Sequence, residues 1–133
     1  MRNLRGPVAC EAMPSKDAVT QTVKSYLEFL AEGSADDILT LYAEDATIED
    51  PVGSDLRRGH EAIREFYTAF QDADKQTELL ELRVSGSEAA FLWQLTLNAG
   101  QGHTTIAPIS HMTFDDDARI IAMRAFWSPD DVR

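Results

Sequence analysis

Tyr42-Ala43-Glu44-Asp45-Ala46-Thr47-Ile48-Glu49-Asp50-Pro51-Val52-Gly53 is the stretch on which the reading of the chain turns. Its second half alternates as a short strand, with Ala46, Ile48 and Asp50 on one face and Thr47 and Glu49 on the other. Two of the three residues on the first face are apolar, so that face is expected to meet the core. Asp50 then sits at the strand's inner end, just before Pro51 removes an N–H and stops regular pairing. An inward carboxylate is costly to ionise unless something uses it. Two readings stand open: Asp50 caps the following Asx-Pro-x-Gly turn, or it is a base facing a pocket.

Upstream of this stretch, two helices are expected. Ser15 is a plausible N-cap, with Asp17 in the first turn. Val19, Val23, Tyr26, Leu27 and Leu30 follow at helical spacing, and Gly33 ends the run. Ser34 and Asp37 have the spacing of a capping box for a second, short helix with Ile38, Leu41 and Tyr42 on its inner face. Downstream, Gly53 to Gly59 reads as a polar loop containing Arg57 and Arg58. A third helix from about His60 to Gln71 carries Ile63, Phe66, Tyr67 and Phe70 on one stripe.

The remainder is β. Thr77 to Val84 places Leu80, Leu82 and Val84 together, and Glu88 to Asn98 places Phe91, Trp93, Leu95 and Leu97 together. His103 to Phe114 aligns Ile106, Pro108, Ser110, Met112 and Phe114, with Pro108 marking an edge or a bulge. Arg119 to Ser128 aligns Ile121, Met123, Ala125 and Trp127. Turns are expected at 85–87, 99–102 and 115–117. The expected architecture is α+β, three helices packed on a strongly curved, mostly antiparallel sheet. Residues 1–12 read as a loose N-terminal extension, and 13–133 as a single domain.

Bulk properties narrow the function. The chain has 133 residues, enough for one domain with a real core or cavity. Its 12 basic and 23 acidic side chains give a net charge of −11, which argues against nucleic acid or an anionic membrane as the main partner. Cys10, the single cysteine, has no internal partner for a disulfide, and no apolar run reaches membrane-span length. A cytoplasmic protein is the expectation.

Tyr26, Asp50, Tyr67 and Ser110, with Tyr42 a fifth candidate, are polar groups on otherwise apolar faces. Singly, each has a structural explanation, since interior tyrosines and strand serines are commonly satisfied core residues. Together they outline a pocket with one carboxylate and several hydroxyls, lined by Phe91, Trp93, Met112, Met123 and Trp127, suited to a large apolar ligand.

In these features the chain resembles the Δ5-3-ketosteroid isomerases of the nuclear-transport-factor-2-like, or SnoaL-like, superfamily. The resemblance spans roughly Met13 to Ser128. It rests on Tyr26 and Asp50 in register, on the segment Tyr42 to Gly53, on Phe66-Tyr67 and on Arg119 to Ser128. It implies a cone-shaped fold with Asp50 as the general base that takes a proton from C4 of a 3-oxo-Δ5-steroid and returns it at C6. Tyr26 would be the main oxyanion donor, with Tyr42 and Tyr67 ordering it. Phe66, Trp93, Met112, Met123 and Trp127 would line the steroid pocket. The resemblance further implies no cofactor, no metal and a homodimer. The register puts Ser110 where the family usually has a protonated aspartic acid, making Ser110 a second, weaker oxyanion donor.

Other chemistries of the superfold fit less well. Arg124 falls opposite Met123 and Trp127, which breaks the inward Asp–Arg–Asp set of an epoxide hydrolase. His111 alternates away from Ser110, while His60 opens a helix and His103 begins a strand, so neither a dehydratase histidine nor a metal-ligand spacing is present. A SnoaL-like polyketide cyclase and a non-catalytic small-ligand-binding module stay open as alternatives.

Overall fold

The structure is a computed structural model that describes residues 13–99 and 102–133. The expected extension over 1–12 and the centre of the expected 99–102 turn lie outside the described residues. Helix α1 (Lys16–Glu32) starts as its sequence dictates, with the Ala18 N–H donating to Ser15 Oγ at 3.0 Å. Val19, Val23, Tyr26, Leu27 and Leu30 are all buried on one stripe. Gly33 ends the helix and lets α2 approach closely, since a Cβ there would meet Asp37 Oδ2 at 2.8 Å and the Phe29 backbone at 3.1 Å. That carboxylate completes the Ser34–Asp37 capping box of α2 (Ala35–Leu39).

The chain leaves α2 earlier than its spacing suggests. Tyr42 is not on the helix but is the first residue of β1 (Tyr42–Glu49). The reason is tertiary: Ile120 N–H donates to the Leu41 carbonyl at 2.8 Å, and Tyr42 pairs with Ile120. A sheet bond thus takes a carbonyl that a longer helix would have used. Ala46 and Ile48 face the core at 1% and 0% exposure, as the alternation requires. The polar loop contains a two-residue strand, β2 (Arg57–Arg58), paired with β1. Helix α3 (His60–Thr68) buries Ile63 and Tyr67 and ends before Gln71.

Five strands follow: β3 (Asp74–Ser85), β4 (Glu88–Ala99), β5 (Gly102–Ile106), β6 (Ile109–Phe114) and β7 (Ile120–Phe126). The order is β2-β1-β7-β6-β4-β3, with β5 also on β4. Every pairing is antiparallel except β1 with β7. The segment 103–114 is two strands, not one; it breaks at Ala107–Pro108, where proline has no N–H to donate.

Two apolar residues face away from the core, against expectation. A register shift between Leu79 and Glu81 makes Leu79, not Leu80, the partner of Leu82 on the core face, and Leu80 is 43% exposed. A second shift opposite Thr113–Phe114 buries Ile120 completely and turns Ile121 out. Each bulge changes the phase of a strict two-residue period and bends the sheet around the helices. Removing a half-buried leucine should cost about 1–2 kcal/mol, and an exposed one within about 0.5 kcal/mol. Leu79→Ala is therefore expected to lower the urea midpoint clearly and Leu80→Ala hardly at all; the reverse order would contradict the bulge.

Candidate active site

Three elements bring three tyrosines to one point: Tyr26 from the middle of α1, Tyr42 from the start of β1, and Tyr67 from α3. Each is 2% exposed. The Tyr67 hydroxyl lies in the middle, 3.0 Å from the Tyr26 hydroxyl and 2.7 Å from that of Tyr42. Burial pushes all three phenols well above their ordinary pKa; at Tyr26 the bond to Tyr67 pulls back, and the nearby Asp50 charge pushes up further. They remain neutral donors at any working pH. Tyr26 and Tyr67 face the cavity and Tyr42 does not. With protons pointing from Tyr42 to Tyr67 to Tyr26, the chain has one O–H left over, and it opens into the cavity at Tyr26.

Asp50 follows β1 directly and is joined to Pro51 by a cis peptide bond. Its Oδ1 accepts from the Trp127 indole N–H at 2.7 Å, while the carboxylate faces the same cavity as Tyr26. Burial raises the Asp50 pKa above the ordinary carboxylate value; the Trp127 bond and the Arg57 guanidinium draw it back. Arg57 itself lies over the ring of Phe66, 5.0 Å from its centroid. The turn after β1 is capped not by Asp50 but by its neighbour: Gly53 N–H donates to Glu49 Oε2 at 2.9 Å. The capping reading therefore belongs to Glu49, and Asp50 is left facing the pocket.

The cavity holds about 360 Å³, within the range of small-molecule sites. Its walls are apolar: Leu30, Phe66, Phe70, Trp93, Leu95, Leu97, Ile106 and Pro108, with Trp127 and Val132. A groove of about 560 Å³ between α1 and β3–β4 is larger but is lined mainly by Glu28, Glu32, Glu78, Gln76 and Gln94. Its buried Lys75 donates to the Gln71 and Ala73 carbonyls, a structural role at the end of the α3 turn.

Four expected site residues are placed differently from the reading of the sequence: Phe91, at 1% exposure, is in the core and not on the cavity wall, and so are three more. Met112 and Met123 are cross-strand partners at 0% and 1% exposure, packed in the core rather than on the cavity wall. Ser110 is also fully buried and does not line the cavity; there the wall is Trp93 and Pro108. Trp93 faces the cavity and donates its indole N–H to Ser110 Oγ at 2.9 Å. No acceptor for Ser110's own proton occurs among the described residues. The sequence reading missed Leu30, Phe70, Leu95, Leu97, Ile106, Pro108 and Val132 as wall residues, and the Trp127–Asp50 bond. The first two were visible only as members of apolar stripes, and the bond depends on how β7 lies against β1. His60, by contrast, is structural, its ring nitrogen 2.9 Å from the Tyr42 carbonyl oxygen.

This fold has known counterparts. Residues 23–123 match the family model described as a SnoaL-like domain. A protein of Nocardioides simplex named "Steroid Delta-isomerase" is 49% identical over 114 residues, 86% of this chain and 93% of that protein. The structure of SalBIII, described as an epoxide hydrolase/cyclase-like enzyme in pyran ring formation in polyether salinomycin, superposes with a TM-score of 0.81 at 27% identity. It covers 89% of this chain and 96% of that one. RV0760c from Mycobacterium tuberculosis superposes equally well (0.81) at 20% identity, over 90% of this chain and 97% of that one, a likeness of fold alone. The chain belongs to the SnoaL-like domain family, and its α+β architecture is the nuclear-transport-factor-2-like fold.

Because the folded pKa of Asp50 is raised, the native state holds that proton more tightly than the unfolded chain. The associated stability is present below the ordinary value of 3.8 and is lost as pH rises through the folded value. Asp50→Asn keeps an acceptor for Trp127 and removes the buried charge. It is expected to raise Tm at pH 7–8, with the gain vanishing below the ordinary carboxylate range. A lower Tm at neutral pH would contradict the desolvated carboxylate.

Proposed function

We propose that the protein is a steroid Δ-isomerase, moving the C=C bond of 3-oxo-Δ5-steroids into conjugation by intramolecular proton transfer. The observation that carries this reading is one carboxylate, Asp50, sharing an apolar cavity with the open end of a tyrosine hydroxyl chain at Tyr26. The relative named as a steroid isomerase, nearly half identical over most of the chain, supports it. Asp50 takes a proton from C4; the C4–H electron pair becomes the C3–C4 double bond, and the carbonyl pair moves to oxygen. The Tyr26 O–H donates to that developing oxyanion. Asp50 then returns the proton to C6 as the Δ4 double bond forms and the carbonyl is restored. No group outside the substrate and the chain is consumed.

Ser110 is the proposed second donor once bound substrate displaces the Trp93 wall in front of it, supported by a buried hydroxyl proton without an acceptor among the described residues and by the Trp93 contact that ties it to that wall. The surroundings of Arg124 speak against epoxide chemistry: its Nε bonds Glu49 Oε1 at 3.0 Å, and its guanidinium lies over Phe126 rather than in the cavity. With 5-androstene-3,17-dione, the ultraviolet absorbance of the conjugated enone is expected to grow with wild-type protein. Asp50→Asn should lose about 10²–10⁴ in kcat and Tyr26→Phe about 10²–10³. Ser110→Asp is expected to be faster than wild type. Wild-type turnover by Asp50→Asn would remove the base assignment, and an unchanged or lower rate for Ser110→Asp would remove Ser110 from the oxyanion.

The same reading includes a homodimer formed through the outer face of the sheet. Phe126 and Ile109 are cross-strand partners there, 44% and 50% exposed, with Leu92 beside Ile109. A continuous apolar row on a sheet face is an association surface. Among the described residues no helix is long and apolar enough to cross a membrane; together with the lone cysteine this supports a cytoplasmic setting. Sedimentation equilibrium should find a wild-type dimer and a Phe126→Glu monomer; a dimeric Phe126→Glu would place the interface elsewhere.

A further inference from the structure

Strand β7 and the residue that follows it hold the turn that carries Asp50 at three points. The Arg124 side chain bonds Glu49 on one side of Asp50, the Ala125 carbonyl accepts from Val52 N–H at 2.8 Å, and the Trp127 indole bonds Asp50 itself. Glu49 completes the arrangement. One carboxylate oxygen receives Arg124 Nε at 3.0 Å and the other receives Gly53 N–H at 2.9 Å, closing a ring around Asp50, Pro51 and Val52. Gly53 has φ +103°, a conformation that glycine adopts readily and other residues disfavour. Glu49 and Arg124 are adjacent in the parallel register of β1 and β7, on the face away from the cavity.

We infer that Glu49, anchored by Arg124, is a positioning residue that fixes the turn from which Asp50 reaches the substrate. This rests on the isomerase reading of the cavity. One carboxylate that serves two carbon atoms has to cover the distance between them by side-chain rotation from a fixed backbone. A turn that drifts by about 1 Å loses on the order of a hundredfold in rate. Arg124 is exposed and Glu49 partly so, and an ion pair this open to water adds little to global stability, so loss of positioning is separable from loss of fold.

Glu49→Ala is expected to lower kcat on 5-androstene-3,17-dione about tenfold or more, with KM within about twofold and Tm within about 2 °C of wild type. Glu49→Gln keeps an acceptor for Gly53 N–H and should recover kcat to within about threefold of wild type. Arg124→Gln, which frees the carboxylate from β7, should fall between them. Hydrogen exchange of the Gly53 amide, followed by NMR, reads the clamp without turnover: it should be about tenfold faster in Glu49→Ala than in wild type or Glu49→Gln. Equal exchange in all three proteins overturns the clamp whether or not wild type turns the steroid over. Faster exchange with unchanged kcat also overturns the positioning role. Absence of wild-type turnover, with the exchange difference intact, removes the isomerase reading instead.

Discussion

The bond from the Trp127 indole to Asp50 is the interaction on which the site depends. A carboxylate placed among tyrosine, tryptophan and phenylalanine rings loses hydration, and burial alone would drive it towards the neutral acid. One charge-assisted hydrogen bond and a guanidinium at a distance draw the balance back, leaving a base stronger than a solvated carboxylate. For a group proposed to accept a proton and then give it up, that intermediate basicity is useful. The bond requires β7 beside β1, and these form the one parallel pair among the described strands. Every other connection in the sheet can be made by hairpin-like returns. This pair needs the whole chain between residues 49 and 120 to come back on itself.

The tyrosine chain solves a related problem without charge. Three phenols in a dry interior stay protonated because burial penalises each phenolate. Tyr67, bonded on both sides, transmits the polarity of Tyr42 to Tyr26, and bonds in such a chain strengthen one another. In the proposed reaction the Tyr26 donor is thus preorganised before any oxygen arrives, which is where most of the benefit of an oxyanion site originates. Tyr26 and Asp50 share one cavity where α1, α3 and β1 converge on the Tyr67 hydroxyl, so the proposed base and donor belong to the packing of the domain.

Much of this was legible in the chain because local signals and tertiary needs agree. Ser15, the Ser34–Asp37 box and the stripe from Val19 to Leu30 each specify a feature that the fold retains. The alternation of Ala46, Ile48 and Asp50 correctly turned Asp50 inward. What escaped was set by partners distant in sequence. Tyr42 has helical spacing from Ile38, but Ile120 draws the neighbouring carbonyl into the sheet. Leu80 and Ile121 keep a two-residue period that two bulges interrupt. Met112 and Met123 share the apolar face with the cavity wall, and periodicity cannot tell the core end of a strand face from its ligand end. Glu49 and Asp50 are adjacent carboxylates, and only the fold shows that the first holds the turn while the second faces the cavity.

A single carboxylate shuttling one proton makes a claim about the fate of that atom. The direct measurement is the isomerisation of 5-androstene-3,17-dione carrying deuterium at C4 on the face abstracted by Asp50, in ordinary water, with the product analysed at C6. Substantial deuterium at C6 is the expected result, since a base buried against Trp127 exchanges slowly with solvent compared with its return to the substrate. Product with C6 hydrogen drawn entirely from water would contradict it and require separate groups for removal and return.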